Sequence, residues 1–82
     1  MIGELREAAA ERAAQYAEYE EVVRSRLQYG VATSGELHRL IREAGLPRRR
    51  FQGWLVSHQQ FAERAGMGKG VHGRPNVIWR LK

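Results

Sequence analysis

The 82-residue chain has no cysteine, no aspartate, only two prolines and no long apolar run. Without cysteine, neither a disulfide nor a thiolate metal site can brace the fold, as expected of a reducing interior. No segment approaches the ~20 apolar residues that cross a bilayer. The opening MIGELREAAAER also lacks the apolar stretch of a secretory signal, so a cytoplasmic location is expected. His38, His58 and His72 share no ligand spacing, which argues against a metal site. The glycines between Gly66 and Gly73 precede no helix, unlike a phosphate loop. No nucleophile has a base at motif distance, so neither an enzyme nor a cofactor is expected.

What is present is positive charge, unevenly spread. Residues 1–29 hold four arginines and six glutamates, a net of −2, whereas residues 30–82 hold ten Lys/Arg and three Glu, a net of +7. Twelve of the fourteen cations are arginine, which forks onto phosphate and guanine better than lysine does. A basic half of this kind suits a polyanionic partner.

The length fits a single domain over residues 1–82. Residues 3–29 are Ala-rich and free of proline, and predict one long helix. Tyr16, Tyr19, Val23 and Leu27 form its core stripe, while Leu5, Ala9 and Ala13 form a weaker stripe that projects past the core. Val31-Ala32 suits a short strand. In TSGELHRLIREAGL, Thr33 and Glu36 have capping-box spacing, Leu37, Leu40, Ile41 and Ala44 follow at helical intervals, and Gly45 stops the segment. A helix over 34–44 is expected. Pro47 suits the first turn of a third helix running to about residue 60. Residues 61–82 read as a β-hairpin, with KGVHGRP at its tip.

Advancing 100° per residue through the third helix groups Phe51, Trp54, Leu55, His58, Phe61 and Ala62 on a buried arc. His58 reads there as a core histidine, and Trp54 and Trp79 as core aromatics. Arg49, Gln52, Gly53, Val56 and Gln60 lie opposite, flanked by Arg48 and Arg50. From Leu46 to Ala62 there is no acid. Arginine, glutamine and an apolar side chain match the guanine acceptors, adenine edges and thymine methyls of a DNA major groove. Gly53 would let the backbone come close, or would merely clear a bulky neighbour. Arginines on the first turn oppose the helix dipole, a local cost that a bound anion relieves. Lys69, His72 and Arg74 make a second cationic group, Thr33 and Ser34 are candidate phosphate donors, and Arg39 and Arg42 are expected to face solvent.

The order helix, strand, helix, turn, helix, hairpin resembles the winged helix-turn-helix DNA-binding proteins. Leu40, Ala44, Leu46, Phe51 and Trp54 fall on the inward positions which that family expects, with Gly45 at the turn. Ile41 departs from the pattern by its size. GRPNVIWRL, residues 73–81, is similar to the G-R-P-x-x-x-aromatic-R-L ending on the wings of bacterial winged-helix transcription regulators, and Val77 and Trp79 would then cover the core. The resemblance covers residues 31–82. It implies an α+β, mainly α winged helix-turn-helix fold with a C-terminal wing, residues 33–60 as the helix-turn-helix and 61–82 as the wing; the long first of the three helices, 3–29, lies outside the resemblance and extends that fold.

The implied function is sequence-specific binding of double-stranded DNA by a small, nucleoid-associated transcriptional regulator. Arg49, Gln52, Val56 and Gln60 would read the major groove. Arg48, Arg50, Lys69, His72 and Arg74 would meet the backbone or minor groove. A homodimer through the first helix is expected, since one such module contacts few base pairs. Two alternatives remain open: a DNA-binding part of replication, partition or recombination machinery, and a protein–protein interaction module.

Overall fold

The computed structural model describes the backbone of residues 2–69 and 75–82 and the side chains of residues 8–68 and 75–82. More than half of the chain is helical, and three strands form an antiparallel sheet, giving an α+β, mainly helical protein. The elements in order are α1 (Ile2–Leu27), β1 (Ala32–Thr33), α2 (Ser34–Glu43), a short α3 (Phe51–Gly53) continued by a wider π turn (Trp54–His58), β2 (Ala62–Lys69) and β3 (Pro75–Leu81). No described helix is long and apolar enough to cross a membrane.

The second half of α1 supplies Tyr19, Val23 and Leu27 to the core, and Tyr16 packs at its edge. Every side chain from Ala8 to Ala14 is exposed, so the projecting stripe of Ala9 and Ala13 is solvent-facing in this chain. Leu5 lies outside the described side chains.

α2 starts where its capping signal predicts. The Glu36 N–H donates to Thr33 Oγ1 (3.2 Å), and Gly35 N–H donates to Asn76 Oδ1 (3.2 Å) on β3. Only half of the capping box forms, because the Glu36 carboxylate pairs with Arg26 at 2.9 Å instead of returning to the cap. At the other end Gly45 adopts φ 75°. Its N–H donates to the Arg42 carbonyl and that of Leu46 to the Ile41 carbonyl, the paired bonds of a Schellman motif.

The inward stripe of α2 differs from the expectation. Leu37 and Ile41 are fully buried, Leu40 is half-buried and Ala44 is exposed. Ala44 is the last residue before the left-handed turn, where the helix already leaves the core. Ile41 is thus a core residue, and its size fills the crossing rather than disturbing it.

The third helix is shorter than expected and begins four residues later. An α-helix starting at Pro47 would need the Pro47 carbonyl to accept from Phe51. That carbonyl accepts from the Tyr19 hydroxyl, and the Phe51 N–H turns to the Arg48 carbonyl (3.1 Å) in a tighter turn. The helix widens at its end, where the Gln59 N–H reaches back five residues to the Trp54 carbonyl (3.0 Å). This winding lets Phe51, Trp54 and Leu55 all bury, with Phe61 partly covered. It also turns His58 outward, against the 100° extrapolation. His58 is exposed and stacks on Tyr16, ring centroids 5.5 Å apart.

β3 is the central strand, in the order β1-β3-β2. Trp79 lies opposite Ala32 on β1 and Arg64 on β2. It is buried, and its indole N–H donates to Ser34 Oγ (2.8 Å). Val77 packs on the same core, while Arg80 is exposed and pairs with Glu63 at 2.9 Å. A bulge between Arg64 and Gly66 shifts the register of β2.

Candidate nucleic-acid interface

Arg48, Arg49 and Arg50 occupy the turn before α3, not its first helical turn, and all three are exposed. Four ion pairs form among the described residues, Arg24–Glu20, Arg26–Glu36, Arg39–Glu43 and Arg80–Glu63, and none involves this triplet. Arg50 donates a long hydrogen bond (3.4 Å) to Gln15 on α1. Among the described residues, these three neighbouring cations therefore sit at the surface without a carboxylate partner. The α3–π segment is short, and its dipole contributes little to this geometry; the guanidinium groups themselves make the anion-attracting feature.

Behind the triplet, Gln52, Gly53 and Val56 are exposed while Phe51, Trp54 and Leu55 are buried. The segment thus separates into an apolar inner side and an outer side with amide, glycine and valine. Gly53 has ordinary helical angles, φ −62° and ψ −40°. A Cβ added there would meet no atom within 4 Å. No bulky neighbour requires the glycine, which removes the packing explanation for it. Gln60 is exposed but lies beyond the helix end, in the connection to β2, so it does not share the helical face.

Thr33 and Ser34 are half-buried, and their hydroxyl oxygens are already engaged by the Glu36 N–H and the Trp79 indole. With Asn76 holding Gly35, the start of α2 is tied internally, and these two residues are structural first. The Lys69 side chain, His72 and Arg74 lie outside the described residues. Arg39 and Arg42 face solvent, Arg39 at 3.7 Å from Glu43.

The chain matches no family profile, no curated protein and no solved structure. Function must be read from geometry and charge.

Two side chains matter more than their places in the sequence suggest. His38 on α2 reaches across to Gln52, its Nε2 2.7 Å from Gln52 Oε1, while its ring stands edge-on to Phe51 with centroids 4.8 Å apart. Gln59 closes the helix end: its Nε2 donates to the Leu55 (2.9 Å) and Ala62 (3.0 Å) carbonyls, and its Oε1 accepts from the Ala62 N–H (2.8 Å). Helical periodicity carries no signal for either contact, because each depends on how two elements meet.

Proposed function

We propose that the protein binds double-stranded DNA in a sequence-dependent way as a small winged helix-turn-helix regulator. The observation that carries this reading is the outer side of the α3 region: exposed, acid-free and arginine-led, with a glycine that no protein contact requires. Arg49 and Gln52 are assigned to base edges and Val56 to a thymine methyl. Arg48 and Arg50 are assigned to phosphates, as are Lys69, His72 and Arg74 on the strength of their charge. The β2–β3 hairpin serves as the wing, and the exposed half of α1 as the contact between two copies on a palindromic site.

Titration with random and selected duplexes over a range of salt tests this directly. Affinity is expected to fall with salt at about −0.9 in log K per phosphate contacted, per decade of salt. Replacing Arg49 with Ala is expected to cost ~1–3 kcal/mol on the selected site and little on random DNA. Binding that ignores salt, or that no duplex supports, overturns the reading.

A second reading, a protein–protein interaction module, is favoured by one feature. Val22, Tyr29, Leu40 and Ala44 line an open groove of about 560 Å³ between α1 and α2, edged by Glu21 and Glu43. Under that reading Arg49→Ala changes no duplex affinity.

A further inference from the structure

Gln52 is assigned to a base edge, and a free glutamine is an ambiguous reader. Rotating its amide by half a turn exchanges a carbonyl acceptor for an NH₂ donor pair, so it accepts or donates with equal ease. The surroundings of Gln52 remove that freedom. His38 Nε2 lies 2.7 Å from Gln52 Oε1, a spacing that needs one proton between them; with the amide oxygen turned to the ring, Nε2 is the donor. The ring itself is held, standing at 88° to Phe51, which is fully buried. His38 lies on α2 and is half-buried, so the contact ties the two helices together at the base of the exposed side.

Resting on the DNA-binding reading, we propose that His38 is a specificity-positioning residue: its contact with Gln52 fixes the amide so that the NH₂ group faces the groove. A base edge with acceptors, such as guanine N7 and O6, satisfies those donors. The cytosine N4 amino group offers only another donor, which an outward NH₂ cannot accept; to meet it Gln52 must turn its amide oxygen away from His38 and toward the groove. The discrimination therefore originates in a residue that touches no base. Without His38 the amide turns freely, and the donor edge is no longer rejected.

The test combines selection from a randomised duplex pool with ¹⁵N spectroscopy of the free protein. Gln52→Ala first locates the base pair that Gln52 reads. His38→Ala, and His38→Phe, which keeps a ring against Phe51 but has no donor, are expected to reduce discrimination at that same base pair by about five- to tenfold. Salt dependence and affinity for random DNA stay unchanged. His38→Gln, which can still donate, restores part of the preference. In the free wild-type protein the imidazole ¹⁵N shifts should report a proton on Nε2. Full discrimination in both His38→Ala and His38→Phe, or a neutral ring protonated only on Nδ1, overturns the proposal while the DNA reading stands. Should wild type bind no duplex, the DNA reading fails and the proposal with it; the ¹⁵N result then reports only whether the contact exists.

Discussion

Gly53 offers the sharpest discrimination between folding and binding at the scale of single residues. It sits in ordinary helical backbone with open space where a Cβ would be, so alanine fits without strain. Replacing an unstrained helical glycine by alanine stabilises by about 0.5–1 kcal/mol. If the glycine exists to admit DNA backbone or base edges, the same methyl group weakens binding. Gly53→Ala should therefore raise the urea midpoint and lower duplex affinity, two effects of opposite sign. A more stable variant that binds duplex as well as wild type would show that the position has no part in recognition.

Tyr19 is a second residue whose chemistry can be read out. Burial holds its phenol above the ordinary value, Arg50 opposes that shift, and Tyr16 and Glu18 add to it. The neutral form is thus favoured in the folded state, where the hydroxyl donates to Pro47. A raised folded value means that this contribution is complete below the unfolded value of about 10 and is lost as pH rises through the folded one. Unfolding in urea should therefore become easier above pH ~10, and Tyr19→Phe should flatten that part of the profile. The same variant loses one hydrogen bond, about 0.5–1.5 kcal/mol at neutral pH.

At the scale of elements, the α3–π segment depends on how it ends. Gln59 makes three hydrogen bonds that tie the Leu55 carbonyl of the helix to the N–H and carbonyl of Ala62, the first residue of β2. Gln59→Ala leaves those backbone groups without partners and should destabilise the protein by ~1–3 kcal/mol in chemical denaturation. Gln60→Ala, one residue along and exposed, should stay within about 0.5 kcal/mol of wild type. Equal effects would mean that the side-chain cap contributes nothing. This element also shows where sequence reading succeeds and where it stops. α2 was legible because a Thr-x-x-Glu start and a left-handed Gly45 are local signals, complete within a few residues. The inner residues Phe51, Trp54 and Leu55 were legible from spacing alone. The late start of α3 and the outward His58 were not, since each goes with a contact from the distant α1, Tyr19 on the Pro47 carbonyl and Tyr16 on the His58 ring; the π winding was not because the Gln59 bonds that accompany it leave no mark in helical spacing. The exposed arginines could be anticipated by composition, whereas the His38–Gln52 contact required the crossing of two helices to be known.

The whole molecule is longer than its chain length requires. Its radius of gyration is 13.9 Å and its longest extent 46 Å. A compact chain of this length would have a radius near 12 Å. The excess lies in the first half of α1, where every side chain from Ala8 to Ala14 is exposed and the residues after it enter the core. A helical arm of this length, ~20 Å, is marginal in water without tertiary contacts. A second copy packed along the small alanine side chains would supply them, and would set two α3 regions at a fixed separation. The expectation is specific. The full chain should sediment as a dimer and bind paired half-sites one helical turn apart, about 10–10.5 base pairs, far better than a single half-site. A chain beginning at Gln15 retains Tyr16, Tyr19, Val23 and Leu27, so it should keep its fold and its affinity for one half-site while losing the advantage of two. Its urea midpoint, measured at a dilution where both forms are monomeric, should match that of the full chain. Persistent pairing on DNA by the shortened chain would place the contact elsewhere. A full chain that stays monomeric at every concentration, and gains nothing from a second half-site, would leave the arm without this role.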